Sequence, residues 1–172
     1  MITKYERVMR TLGFTLIEIV VTIGIMSIVS MGVVPFYLQF AQEAKLTQDA
    51  SILYSAVQLT KSKARAGEGG DSANCAQYAG YDLIVDTQSL STKLCCSAAC
   101  SDVQSKVIST NTLATGKTTI TQPSAGTHIR FAPLTGATST NTIEIRSSSI
   151  SKCQAIQIQS SGPVSLGTIY GC

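Results

Sequence analysis

Charge is scarce in this chain of 172 residues: 13% are Asp, Glu, Lys or Arg, and the 24 positions between Glu18 and Glu43 carry none. With a mean hydropathy of +0.23, so few charges exclude an intrinsically disordered chain. Glycine has no regular period, which excludes collagen. Histidine occurs once, as His128. Catalysis by a thiol needs a base, and His128 alternates with Ile129 in a strand-like pattern that reads as a surface position. There is no phosphate-cradling glycine loop, no metalloprotease pattern and no carboxylate pair at a distinctive spacing. The sequence therefore indicates no enzyme, no cofactor and no resident metal.

What the chain does have is a long apolar run. The uncharged stretch from Ile19 to Gln42 is rich in Ile and Val; as a helix it measures about 36 Å, enough to cover a hydrocarbon core of about 30 Å. A secretory signal peptide has a shorter apolar region and a small-x-small cleavage site, which Ala41-Gln42-Glu43 does not supply. Lys4, Arg7 and Arg10 precede the run and set its orientation: N-terminus in the cytoplasm, bulk of the chain outside. Beyond the run, Leu46, Ala50, Leu53 and Val57 recur at helical spacing, with Ile52, Ala56 and Leu59 widening the stripe. One helix thus passes from lipid into water. Pro35, with Gly24 and Gly32, predicts a bend in it, and Gly67-Glu68-Gly69-Gly70-Asp71-Ser72 ends it.

From Gly67 onward the composition changes to 30 Ser plus Thr with six acids and six bases. Ile129 and Phe131, Ile143 and Ile145, and Ile156 and Ile158 each alternate with polar residues, the signature of half-buried strands. Tyr81 to Val85 and Thr118 to Thr121 are weaker strand candidates, and turns are predicted at Pro133-Leu134-Thr135-Gly136 and Ser161-Gly162-Pro163-Val164. The fold class predicted is α+β, with a long helix packed against a C-terminal antiparallel β-sheet head.

Gly13-Phe14-Thr15-Leu16-Ile17-Glu18, behind a basic leader and ahead of a long apolar helix, resembles the processing site of type IV pilins and type II secretion pseudopilins. The resemblance implies cleavage between Gly13 and Phe14 by a prepilin peptidase that also methylates the Phe14 amine. Residues 1–13 are then a leader, 14–66 the long helix with 14–41 as transmembrane segment and filament core, and 67–172 the head. Pro35 falls at the 22nd position of the mature chain, where many of these pilins also carry a proline. Arg130-Phe131-Ala132-Pro133 is similar to a segment of the pseudopilin-like minor pilins. The implied partners are other pilin or pseudopilin subunits, the peptidase, an inner-membrane assembly platform, and the lipid membrane before assembly. The implied location is the inner membrane, then an extracellular pilus or periplasmic pseudopilus.

Glu18 stands out without any family. A carboxylate on the edge of an apolar helix is costly in lipid and needs a partner, and the apolar run offers no cation. The resemblance supplies one, the Phe14 amine of a neighbouring subunit, so that Glu18 sets subunit register. The plainer alternative is a carboxylate that snorkels to the headgroups or is protonated.

All six cysteines lie in the half predicted to be outside, where disulfides persist. A C-terminal hairpin about Gly162-Pro163 in which Ile156 faces Ile169 also sets Cys153 opposite Cys172, at bonding distance. Cys75, Cys95, Cys96 and Cys100 are left to form two bridges in an order the sequence does not fix, with the adjacent Cys95 and Cys96 not expected to bond to each other. A zinc site from these four is disfavoured, because only Cys96 to Cys100 has a passable ligand spacing. Lys61, Lys63 and Arg65 are spaced by two on a helix and make no single basic stripe, so nucleic acid is not an expected partner. Two other functions fit the pattern less well: a membrane-tethered ligand-binding protein, and a DNA-binding minor pilin.

Overall fold

The computed structural model describes residues 13–69, 75, 77–100, 105–113, 116–137, 139–160 and 163–172. Lys4, Arg7 and Arg10, the breakers Gly70-Asp71-Ser72 and the Ser161-Gly162 part of the predicted turn lie outside them. The chain divides into two units between Gln39 and Phe40.

Helix α1 runs Leu16–Ala66, 51 residues that belong in part to each unit, and it is helical on both sides of Pro35. Thr15 caps its start, and Gly67 closes it. At φ +67°, Gly67 donates its N–H to the Ala64 carbonyl at 3.3 Å while Glu68 donates to Lys63 at 3.2 Å, the paired bonds of a Schellman ending that needs a left-handed residue. In the second unit the buried residues of α1 are Leu46, Asp49, Ala50, Leu53, Ala56, Val57, Thr60, Lys61 and Ala64. This stripe keeps the predicted Leu46, Ala50, Leu53, Ala56 and Val57 but leaves Leu59 exposed and Ile52 half-buried. Leu59 stands six residues after Leu53, which carries it well round the helix from the buried line.

The rest of the second unit is β-structure: β1 (Gly80–Val85), β2 (Ser89–Cys95), β3 (Lys106–Thr112), β4 (Thr118–Gln122), β5 (Thr127–Ala132), β6 (Gly136–Ala137), β7 (Asn141–Ser147), β8 (Lys152–Ile158) and β9 (Val164–Gly171). There are two antiparallel sheets where the strand patterns suggested one, ordered β3-β2-β1-β5-β6 and β4-β7-β8-β9. β4 precedes β5 in the chain yet pairs with β7, a crossover that alternation alone does not encode. Tyr81, Leu83, Val85, Leu90, Ile129 and Phe131 of the first sheet meet Ile143, Ile145, Ile156 and Ile158 of the second and Leu46, Leu53 and Val57 of α1 in one core.

Polar links help to fix the C-terminal half of α1 to the sheets. The Thr60 and Thr92 hydroxyls are 3.0 Å apart, joining α1 to β2, and Lys152 Nζ lies 2.5 Å from Glu43 Oε1, joining it to β8. At Gly80, φ is +102° and a Cβ would collide with the Phe131 carbonyl oxygen, so only glycine fits the start of β1.

Candidate functional site

The apolar segment of the first unit is built from its cap upward. Gly13, Phe14 and Thr15 precede α1. The Glu18 N–H is shared between the Thr15 hydroxyl at 3.3 Å and the Thr15 carbonyl at 3.1 Å. Thr15-x-x-Glu18 is a capping-box spacing, a signal present in the sequence that its reading missed. It places an acid in the first turn, where the helix dipole favours negative charge. Glu18 itself is exposed, as is Phe14 at 78%.

Above the cap every described side chain through Phe40 is exposed. An 18-residue window here has a mean hydropathy of 2.3 with none of it buried, and the helix is long and apolar enough to cross a membrane. The Thr and Ser hydroxyls within the run bond to their own helix. Thr22 donates to the Ile19 carbonyl at 2.9 Å, Ser27 to Ile23 at 2.8 Å and Ser30 to Met26 at 2.7 Å. Hydrocarbon offers no substitute for water, so a helix that satisfies its polar groups internally suits it. Pro35 lies within this segment.

All six cysteines are bonded: Cys75 to Cys96, Cys95 to Cys100, and Cys153 to Cys172. Cys95 and Cys96 go to different partners, and none of the four candidate zinc ligands keeps a thiol. The register beneath the last bridge differs from the predicted one. Cys153 stands opposite Tyr170, not Cys172, because the hairpin closes tighter than predicted: Ile158 faces Val164 and Ile156 faces Leu166 instead of Ile169, and the irregularity between Gln154 and Ile156 recovers only one residue of that offset. The Cys153 and Cys172 Cα atoms are nevertheless 5.5 Å apart, since Cys172 follows the strand end and reaches back.

The three bases near the end of α1 diverge. Lys61 is buried and donates to the Gln159 carbonyl at 3.2 Å, Lys63 pairs with Glu68 at 3.0 Å, and Arg65 is exposed beside Gly136. Burial, then the charge of Arg65, holds the Lys61 ammonium below its ordinary pKa. Three phenols shift the other way. Tyr170 donates to Glu144 Oε2 at 2.6 Å, and this bond, more than burial, pushes it up to about 12. Burial, with Tyr78 and Glu68 nearby, pushes Tyr81 up to about 12; burial also raises Tyr78.

His128 is a surface residue with a buried partner. Its side chain is 59% exposed, yet Nδ1 lies 2.6 Å from Oδ2 of the buried Asp82. His128 faces Ile84 and Asp82 faces Arg130 across β1 and β5, so the pair is diagonal and becomes visible only once the register is known. No protein-family model matches this chain, and the comparisons with curated proteins and with solved structures find no match.

Proposed function

We propose that this chain is a structural subunit, a pilin, minor pilin or pseudopilin, of a type IV pilus or type II secretion-like filament. It acts by assembly, not by catalysis. The observation that carries the reading is a capped helix, none of whose apolar membrane-length window is buried, starting immediately after Gly13-Phe14-Thr15.

In this reading a prepilin peptidase removes residues 1–13 and methylates Phe14. The apolar half of α1 rests in the inner membrane until the assembly platform moves it into a bundle of like helices, where neighbouring subunits replace lipid. Each of these environments is dry, which accounts for internally bonded hydroxyls at Thr22, Ser27 and Ser30. The Glu18 carboxylate then pairs with the new amine of an adjacent subunit and sets register. The disulfide-linked head faces outward, in a compartment where such bridges persist.

Shearing of cell-surface or periplasmic filaments from a strain that makes this chain tests the proposal. The mature chain is expected in the sheared fraction together with other subunits. Its retention in the membrane fraction under conditions that assemble filaments would overturn the reading.

A further inference from the structure

Asp82 sits on the face of the first sheet opposite to Tyr81, Leu83 and Val85, which enter the core. Its directly facing neighbours are Lys93 on β2 and Arg130 on β5, with His128 on the diagonal at 2.6 Å. Lys93 Nζ donates to the Cys100 carbonyl at 2.8 Å, and the Arg130 guanidinium donates to the Ala98 carbonyl. These two cations clasp the loop that the Cys95–Cys100 bridge closes, and Asp82 is shut beneath it.

One feature of this arrangement is not accounted for by packing. Asp82 Oδ1 is buried with no hydrogen-bond partner, a state whose desolvation no hydrogen bond among the described residues offsets. A carboxylate oxygen of Asp82 and the sulfurs of Cys95 and Cys100 all lie within 4.8 Å of one another. Beside them a cleft of about 530 Å³ is lined by Asp82, Ala99, Cys100, His128 and Arg130, and the exposed His128 ring shows that it reaches solvent. Among the described residues, neither Cys75–Cys96 nor Cys153–Cys172 has such a cluster with a carboxylate.

We infer that Cys95–Cys100 is a thiol–disulfide exchange site for low-molecular-weight thiols, with Asp82 and His128 as the groups that pass a proton to the departing sulfur. A thiolate entering the cleft attacks Cys100 Sγ. A mixed disulfide forms there as the Cys95–Cys100 bond breaks, and the bonding pair goes to Cys95 Sγ. Lys93 and Arg130 face Asp82 from β2 and β5, and their positive charge stabilises the leaving thiolate. His128, as imidazolium, passes its Nδ1 proton to Asp82 Oδ2, the carboxyl so formed protonates the Cys95 thiolate and returns to carboxylate, and the neutral imidazole recovers a proton from water. A second thiol then attacks the mixed disulfide and frees Cys100. In sum two thiols are oxidised to one external disulfide, and one protein bridge is reduced to two thiols.

The test uses the full chain in detergent micelles, treated with excess reduced glutathione, quenched by alkylation at intervals and mapped by mass spectrometry. Cys95 and Cys100 should be labelled first, about tenfold or more ahead of the other four. Asp82→Asn and His128→Gln should each slow that step by about tenfold or more and leave a pH profile that follows the glutathione thiolate alone. His128 is largely exposed, so His128→Gln keeps the test decisive if Asp82→Asn fails to fold. Simultaneous opening of the three bridges, or earlier opening of another, overturns the assignment. So does prior opening of Cys95–Cys100 at parental rate and pH profile in His128→Gln.

Discussion

The Thr15 hydroxyl accepts the N–H of Glu18 at 3.3 Å, so residue 18 starts the helix with its backbone while its carboxylate remains exposed. The two roles are separable by mutation.

Glu18→Ala keeps the backbone donor that Thr15 needs. Membrane insertion and helix content should therefore match the parent, whereas incorporation into filaments should fall sharply. Thr15→Ala should do the reverse in part, loosening the first turn by about 1 kcal/mol. Circular dichroism in micelles and quantification of sheared filaments distinguish the two. Normal filament yield from Glu18→Ala as sole copy would contradict the register role.

Gly80→Ala should be among the most damaging single-methyl changes in the head. It combines a left-handed φ of +102° with a collision against the Phe131 carbonyl, and a loss of at least about 2 kcal/mol is expected. Gly116→Ala is the control, since φ is +59° but the space around it is open, and about 1 kcal/mol should be lost. Denaturant titration of the full chain in micelles compares them; equal losses would show that the contact with Phe131 is absent.

The C-terminal bridge spans 19 residues of sequence. Replacing both Cys153 and Cys172 by Ser should cost about 3 kcal/mol by the loop-entropy model while leaving the other pairings intact. Non-reducing peptide mapping of the parent should return Cys75 with Cys96, Cys95 with Cys100 and Cys153 with Cys172. A peptide joining Cys153 or Cys172 to any of the first four would refute this topology.

Alkaline titration should be biphasic. Tyr81 and Tyr170 keep their protons to about 12 when folded, against about 10 when unfolded. Above pH 10 the unfolded chain has lost protons that the folded chain still holds, so their contribution to stability is complete below pH 10 and is lost as pH rises towards about 12. Lys61, lowered by burial, acts oppositely, and the folded state gains as its charge is removed. Phenolate absorbance should show a late component that shrinks in Tyr170→Phe. A single ionisation near pH 10 for all tyrosines would contradict these environments.

The helix was legible because two independent signals overlap in it, a membrane-length apolar run and a stripe at helical spacing that Gly67 terminates. Strands with one wet face, such as β5, β7 and β8, declared themselves by alternation. β3 did not, because it is an edge strand whose residues are nearly all exposed, and β2 hides its pattern by burying Thr92 between Leu90 and Cys95. The Cys153–Cys172 pairing could be argued from a local hairpin, but the hairpin's register, with Ile156 opposite Leu166 and a slip between Gln154 and Ile156, could not. Asp82 and His128 are 46 residues apart in sequence. Only the pairing of β1 with β5 brings them together, and no spacing rule within either strand foretells it.

The central claim is that this helix is prepared for assembly by a cut on its N-terminal side. Intact-mass and N-terminal peptide spectra of the chain purified from its native membrane or filaments measure this directly. The account predicts a mature chain that begins at Phe14 with one added methyl group on its amine. A chain that still begins at Met1, or one cut beyond Ala41, would contradict it.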